Sequence, residues 1–220
     1  LFLHIYAPDL TFVNKKIQLT LLALLFVTGL FAQGADLNLL KSINGPPAGA
    51  DSKWKFISHK AIIVNVAAPV SLVVAGYINH DDNLKISGLQ TAASFIVAGT
   101  ATYAIKNIFD RQRPFVSHPD VIYAKEFPTD AAFPSGHTSF AFSTATSLSL
   151  AIPKWYVIAP SFLYAGAVGY SRMYLGVHYP SDVLGGAIVG AGSAFITWKL
   201  QKWIVGKKPH PALSKGEGSY

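Results

Sequence analysis

Five charge-free apolar runs dominate the chain: Ala61 to Asn79, Ile86 to Ile105, Thr138 to Pro153, Trp155 to Ser171 and Val183 to Trp198. Each holds 16 to 20 residues, close to the roughly 20 an α-helix needs to cross a bilayer. None shows the alternation of a half-buried strand, and all are rich in Gly, Ala, Ser and Thr, as in Gly185-Gly186-Ala187 and Gly190-Ala191-Gly192. Small residues let helices approach closely inside lipid, where apolar surface gives no drive for association. The expected fold is therefore all-α, a membrane-embedded bundle of about five core helices. A soluble bundle of buried helices has a similar pattern, but 51% hydrophobic and 13% charged residues with a mean hydropathy of +0.35 point toward lipid. The same composition excludes disorder and coiled coil.

With no cysteine, the 220-residue chain has no disulfide, thiolate metal site or cysteine nucleophile. Its formal charge of +7 is concentrated late, with Lys199, Lys202, Lys207, Lys208 and Lys215 in or beside the last 20 residues. No basic stripe interleaved with aromatics accompanies it, so nucleic-acid binding is not expected, and no obligate protein partner is implied.

Residue 1 is leucine and the only methionine is Met173, so the first 14 residues carry no weight. Lys15-Lys16, the apolar stretch Ile17 to Phe31 and Ala32-Gln33-Gly34 then form the pattern of a signal peptide, or alternatively a signal-anchor helix. Residues 1–34 are assigned to that start, 35–56 (with Gly45-Pro46-Pro47) to a polar surface segment, 57–205 to the helical domain and 206–220 to a flexible basic tail. Walking the helices from an external residue 35 puts the His80-Asp81-Asp82 hairpin inside, the loop 107–134 outside and the lysine-rich tail inside. This agrees with the positive-inside rule, although Lys53, Lys55 and Lys60 run against it.

Three islands place charge at helix ends on the outer face of that walk. Lys106 is followed seven residues later by Arg113-Pro114; Pro134-Ser135-Gly136-His137 opens the third core helix; Ser171-Arg172 precedes His178 by six residues from the arginine, and Asp182 lies four further on. Each has a bland reading: Lys106 complements a helix C-terminus, Ser135 is a good N-cap, Asp182 is a first-turn acid. Together they assemble three cations, two histidines, a serine, exposed backbone donors and one carboxylate. Three positive charges suit a phosphoryl group that gains charge density in transfer, with guanidinium groups gripping oxygens in pairs. A histidine oriented by a carboxylate is a nucleophile, and a second can protonate the departing oxygen.

The set resembles the type 2 phosphatidic acid phosphatase and vanadium haloperoxidase superfamily, whose signature is Lys-x6-Arg-Pro, Pro-Ser-Gly-His and Ser-Arg-x5-His-x3-Asp. All eleven specified positions are met, with 19 and 33 residues between the islands. The resemblance implies that His178 attacks phosphorus and Asp182 orients it, while His137 serves as acid and then base. Lys106, Arg113, Arg172, Ser135 and the Gly136 N–H would hold phosphoryl oxygens, and no metal or other cofactor is required.

Haloperoxidase chemistry, a Ser135-His178-Asp182 hydrolase, a metal site drawing on Asp120 or Asp130, and a non-catalytic membrane subunit are the competing readings. No Gly-x-Ser-x-Gly elbow supports the hydrolase, and the nearby arginines would repel a divalent ion. The expectation is an inner-membrane phosphatase acting at the outer face on a lipid phosphate or diphosphate. The alternative is a soluble secreted acid phosphatase. Phosphatidic acid, phosphatidylglycerophosphate, a polyprenyl diphosphate and lipid A are all open as substrates, with selectivity expected in Phe115 to Phe133. His4, His59, His80, His118 and His210 receive no role, and Trp155, Tyr156, Trp198 and Trp203 are read as interfacial anchors.

Overall fold

Residues 34–206 are described by a computed structural model. The signal-type stretch up to residue 33 and the tail 207–220 lie outside the described residues. A helix α1 is described over residues 34–43. It is followed by α2 (Asp51–Ile78), α3 (Asp82–Phe109), the one-turn α4 (Pro114–Ser117), α5 (Gly136–Ala151), α6 (Trp155–Tyr174) and α7 (Pro180–Gly206). No strand occurs among the described residues, and five long helices form the core as the apolar runs predict.

Local chemistry sets the boundaries. His80 takes a positive φ of 53° to reverse the chain after α2, and the Asp81 carboxylate caps α3 by accepting from the Asn83 and Leu84 N–H groups at 2.8 and 3.3 Å. Asp110 ends α3 in the left-handed region, and its N–H bonds the Lys106 carbonyl at 2.9 Å. Pro114 and Pro180 open α4 and α7, where a missing N–H costs nothing.

The shortest core helix, α5, is the axis around which α2, α3, α6 and α7 pack. Its residues Thr138, Ser139, Ala141, Ser143, Thr144, Ala145 and Ser147 are buried. At Gly190 of α7 a Cβ would fall 2.1 Å from the Ser139 carbonyl oxygen, so only glycine permits the backbones of α5 and α7 to meet there. Hydroxyls pair inside this packing: Ser143 Oγ donates to Ser94 Oγ at 3.0 Å, and Ser94 and Ser147 share a 2.9 Å bond.

The outside of the bundle is apolar. Ile63, Val70 and Tyr77 on α2, Leu89 and Ile96 on α3, Leu163 on α6 and Leu184 and Ile188 on α7 are all exposed, apolar surface of the kind that marks lipid contact. Among the described residues, two helices, α2 and α7, are long and apolar enough to cross a membrane, with mean hydropathies of 2.1 and 1.4 over their most apolar stretches. Trp155 (79% exposed), Tyr156 and Trp203 project outward at helix ends, where interfacial anchors belong.

The segment expected to be a polar surface stretch is exposed over much of its length but anchored at three points. Asp36, Leu40 and Asn44 are buried; Leu40 packs with Ile122 and Tyr179. The Asn44 side chain accepts from the Tyr123 N–H at 2.8 Å and donates to the carbonyls of Tyr123 and Tyr174 at 3.0 and 2.9 Å. Its polar residues satisfy loop backbone that would otherwise be buried unpaired, which is why polarity alone did not reveal the anchoring.

Candidate active site

The ends of α3, α5, α6 and α7 meet at one end of the bundle together with the loop 110–135. Lys106 lies in the last turn of α3, and Arg113 is the residue before Pro114 of α4. Ser135 stands at the N-cap position of α5, followed by Gly136 and His137; Arg172 is in the last turn of α6, and Asp182 is in the first turn of α7. A 2.9 Å bond from the Ser135 N–H to the Asp182 carbonyl joins the starts of α5 and α7.

Arg172 and His178 reach the same site because the chain reverses between them. The Gly176 N–H bonds the Met173 carbonyl at 2.9 Å and the Val177 N–H bonds the Arg172 carbonyl at 3.2 Å, with Gly176 at φ +74°. This is the Schellman arrangement that ends many helices and needs a residue without a Cβ.

His178, 2% exposed, is the centre of the cluster. Arg113 Nη1 lies 3.3 Å from His178 Nε2 and donates to the Val177 carbonyl at 2.8 Å. A guanidinium only donates, so this contact uses the Nε2 lone pair and leaves the ring proton on Nδ1. Asp182 Oδ2 stands 3.6 Å from that Nδ1, longer than a hydrogen bond, while accepting from the Tyr179 N–H at 2.8 Å. Burial, followed by the charges of Arg113, Arg172 and Lys106, holds the His178 imidazole well below its ordinary pKa and therefore neutral.

The phosphate-type cations have carboxylate partners that the motif does not contain. Asp130 bridges two of them: its Oδ2 is 3.0 Å from Lys106 Nζ and its Oδ1 is 2.6 Å from Arg113 Nη2. Burial raises this carboxyl, but hydrogen bonding and charge from Lys106, then Arg113, outweigh it and bring it down to about 2. Glu126 Oε2 pairs with Arg172 Nη1 at 2.9 Å, and its Oε1 lies 2.9 Å from His59 Nε2 of α2. Ser58 Oγ, one residue earlier on α2, also accepts from Arg172, while Arg172 Nε has no hydrogen-bond partner among the described residues.

All eight residues singled out in the sequence lie at this end of the fold. Ser135 sits at the N-cap position but makes no capping bond, because its buried Oγ accepts from Thr138 Oγ1 at 2.9 Å. His137 lines a cleft of about 230 Å³ with Gly136, Phe140 and the α2 residues Ala61, Ile62 and Asn65, so α2 forms one wall beside it. Sequence reasoning missed Ser58 and Arg111, gave His59 no role, placed Glu126 only within the segment expected to set headgroup selectivity, and weighed Asp130 as a metal ligand. Arg111 alone carried a signal, as a third cation within the first island.

The PAP2 superfamily profile matches residues 87–205. Among curated relatives, an undecaprenyl-diphosphatase of Sulfolobus acidocaldarius is 32% identical over 114 residues, 52% of this chain and 55% of that protein. The match thus spans about half the relative's length. Among solved structures, LpxE of Aquifex aeolicus superposes with a TM-score of 0.59 at 30% identity, covering 74% of this chain and 94% of that one. A transmembrane PAP2 type phosphatidylglycerolphosphate phosphatase from Bacillus subtilis superposes with a TM-score of 0.64 at 24% identity, covering 86% and 96%, and shares the fold.

Proposed function

Because the chain belongs to the PAP2 superfamily, we propose that it is a membrane phosphatase that hydrolyses a lipid phosphate or diphosphate through a phosphohistidine at His178. The observation that carries the proposal is Arg113 Nη1 standing 3.3 Å from the Nε2 of a buried, neutral His178. This contact sets a phosphoryl-binding cation and a nucleophilic lone pair side by side.

In the first step Nε2 attacks phosphorus, the bond from phosphorus to the leaving oxygen breaks, and His137, charged as imidazolium once the anionic phosphate is bound, gives that oxygen its proton. Negative charge building on the equatorial oxygens is met by Lys106, Arg113, Arg172, Ser135 and the Gly136 N–H at the positive end of α5. The positive charge developing on the imidazole is met by Asp182. In the second step His137 takes a proton from water, the hydroxide attacks phosphorus, and the P–N bond breaks to return neutral His178 and release phosphate. Three cations already supply the charge a metal would bring.

The substrate is a lipid because the site opens at the end of a bundle whose flanks are apolar and because the relatives' names point that way: undecaprenyl diphosphate in one, decaprenylphosphoryl-5-phosphoribose in another. An outward-facing site is supported by the position of Asp182 at the start of α7 and of Lys199 and Lys202 near its end. The test is phosphate release by the detergent-purified protein in EDTA, across phosphatidic acid, phosphatidylglycerophosphate, undecaprenyl diphosphate, lipid A and a soluble aryl phosphate. Activity in EDTA that prefers one lipid and is lost in His178→Ala supports the proposal. Turnover by His178→Ala contradicts it.

A further inference from the structure

Behind the nucleophile, Asp182 ends a row of alternating charges whose other members, Arg111 and Asp36, have been given no role. Arg111, in the loop between α3 and α4, lies over the Tyr179 ring, its guanidinium carbon 4.1 Å from the centroid. Its Nη1 donates to Asp182 Oδ1 at 2.7 Å and to Ser181 Oγ at 2.6 Å, and its Nη2 donates to Asp36 Oδ2 at 2.8 Å. Asp36 in turn accepts from the Ser181 N–H at 2.8 Å through Oδ1, and from the Ser181 hydroxyl. Asp36 is 8% exposed and Asp182 is fully buried, while Arg111 between them is 29% exposed, so the two carboxylates sit where water screens them poorly.

The geometry points to Arg111 as a positioning residue for Asp182, and to Asp36 of α1 as the carboxylate that keeps Asp182 electrostatically effective toward His178. The inference rests on His178 being the nucleophile. Both oxygens of Asp182 are occupied, Oδ1 by Arg111 and Oδ2 by the Tyr179 N–H, so its plane is fixed and Oδ2 is turned to His178 Nδ1. The same arginine has an opposing effect: a full positive charge at 2.7 Å cancels much of the carboxylate's field at the ring. Asp36 on the far side of the guanidinium offsets that charge, leaving the trio Asp36, Arg111 and Asp182 with one net negative charge. That charge is what the imidazole needs when Nε2 bonds to phosphorus.

Asp36 is held firmly enough for this task. Leu40, one turn later, is fully buried against Ile122 and Tyr179, and Asn44 fixes the end of the segment to the backbone of Tyr123 and Tyr174. The helix before the first long core helix is thereby a working part of the site.

The two roles make a prediction that simple support of the fold does not. Asp36→Asn leaves Arg111 free to cancel Asp182, and lowers kcat about tenfold with KM unchanged, since Asp36 is buried behind Arg111. Adding Arg111→Gln removes the surplus positive charge while keeping amide hydrogen bonds, so the double variant turns over faster than Asp36→Asn alone. The experiment measures kcat and KM of the full chain in detergent for wild type, Asp36→Asn, Arg111→Gln, the double variant and His178→Ala. Rescue in the double variant at constant KM supports the inference. Wild-type kcat in Asp36→Asn, or losses that accumulate in the double variant, overturns it. If Asp36→Asn does not fold, Arg111→Lys serves instead: retaining the charge but losing the fork, it lowers kcat at unchanged KM, and an unaltered kcat overturns the inference. Turnover by His178→Ala overturns this inference and the proposed function together, whereas an inactive His178→Ala beside a normal Asp36→Asn overturns this inference alone.

Discussion

Arg113 and His178 are held by one local arrangement: Arg113 Nη1 donates to the carbonyl of Val177, the residue before the histidine, at 2.8 Å, and stands 3.3 Å from Nε2 of the ring itself. The guanidinium thereby fixes the loop that carries the proposed nucleophile and places its own charge beside the atom proposed to attack phosphorus.

Lysine cannot reproduce this double reach, because its ammonium is a single point of charge without the planar fork. Arg113→Lys is expected to fold and to lose roughly a hundredfold in kcat/KM, corresponding to about 2.7 kcal/mol of transition-state stabilisation. Steady-state kinetics on the preferred lipid check this; a loss of less than threefold would remove Arg113 from its assigned role.

Asp130 bridges Lys106 and Arg113, and under the proposed function it competes with phosphoryl oxygens for them. Asp130→Asn frees both cations and should tighten inhibition by inorganic phosphate or vanadate several-fold, roughly 1 kcal/mol in binding. Unchanged inhibition constants would show that the carboxylate does not contest that position.

The same residue gives a pH dependence. Its carboxyl is lowered from 3.8 to about 2 in the folded protein. The stabilisation it contributes is therefore complete above the ordinary carboxylate range and lost as pH falls through about 2. Melting temperatures in detergent between pH 5 and about 2 should fall less steeply for Asp130→Asn than for wild type. Parallel curves would count against the bridge.

Gly176 holds a left-handed φ of +74°, and a Cβ there would lie 2.8 Å from the Tyr123 carbonyl oxygen. Gly176→Ala should destabilise the protein by about 1–3 kcal/mol and lower kcat by misplacing His178 relative to Arg172. Thermal melts and kinetics measured together test this, and a variant equal to wild type in both would contradict the account of the turn.

The sequence made legible what is local or carried by composition. Five apolar runs became five long helices because each is bounded by a turn or cap, such as Asp81 before α3, and the three islands fell at helix ends because their charges cannot enter lipid. What escaped was pairing across long separations. Glu126 meets Arg172 and His59, and Asp36 meets Arg111 and Ser181, only after four helices have been folded together. Nothing in the spacing of an isolated glutamate or histidine announces such a partner. Asp130 shows the other limit: its carboxylate was visible as a candidate ligand, but that its partners are the site's own cations depends on how the loop 110–135 lies across them.

The most direct test of the phosphohistidine is to trap it. An aryl phosphate has a leaving group that departs without help from an acid, so His137→Ala should still allow attack by His178 while depriving the second step of its base. Alkaline quenching during turnover, followed by peptide mass spectrometry, should then find one phosphoryl group on the peptide carrying His178, and none in His137→Ala/His178→Ala. Phosphate release without any phosphorylated histidine, or with the label on another residue, would contradict the account.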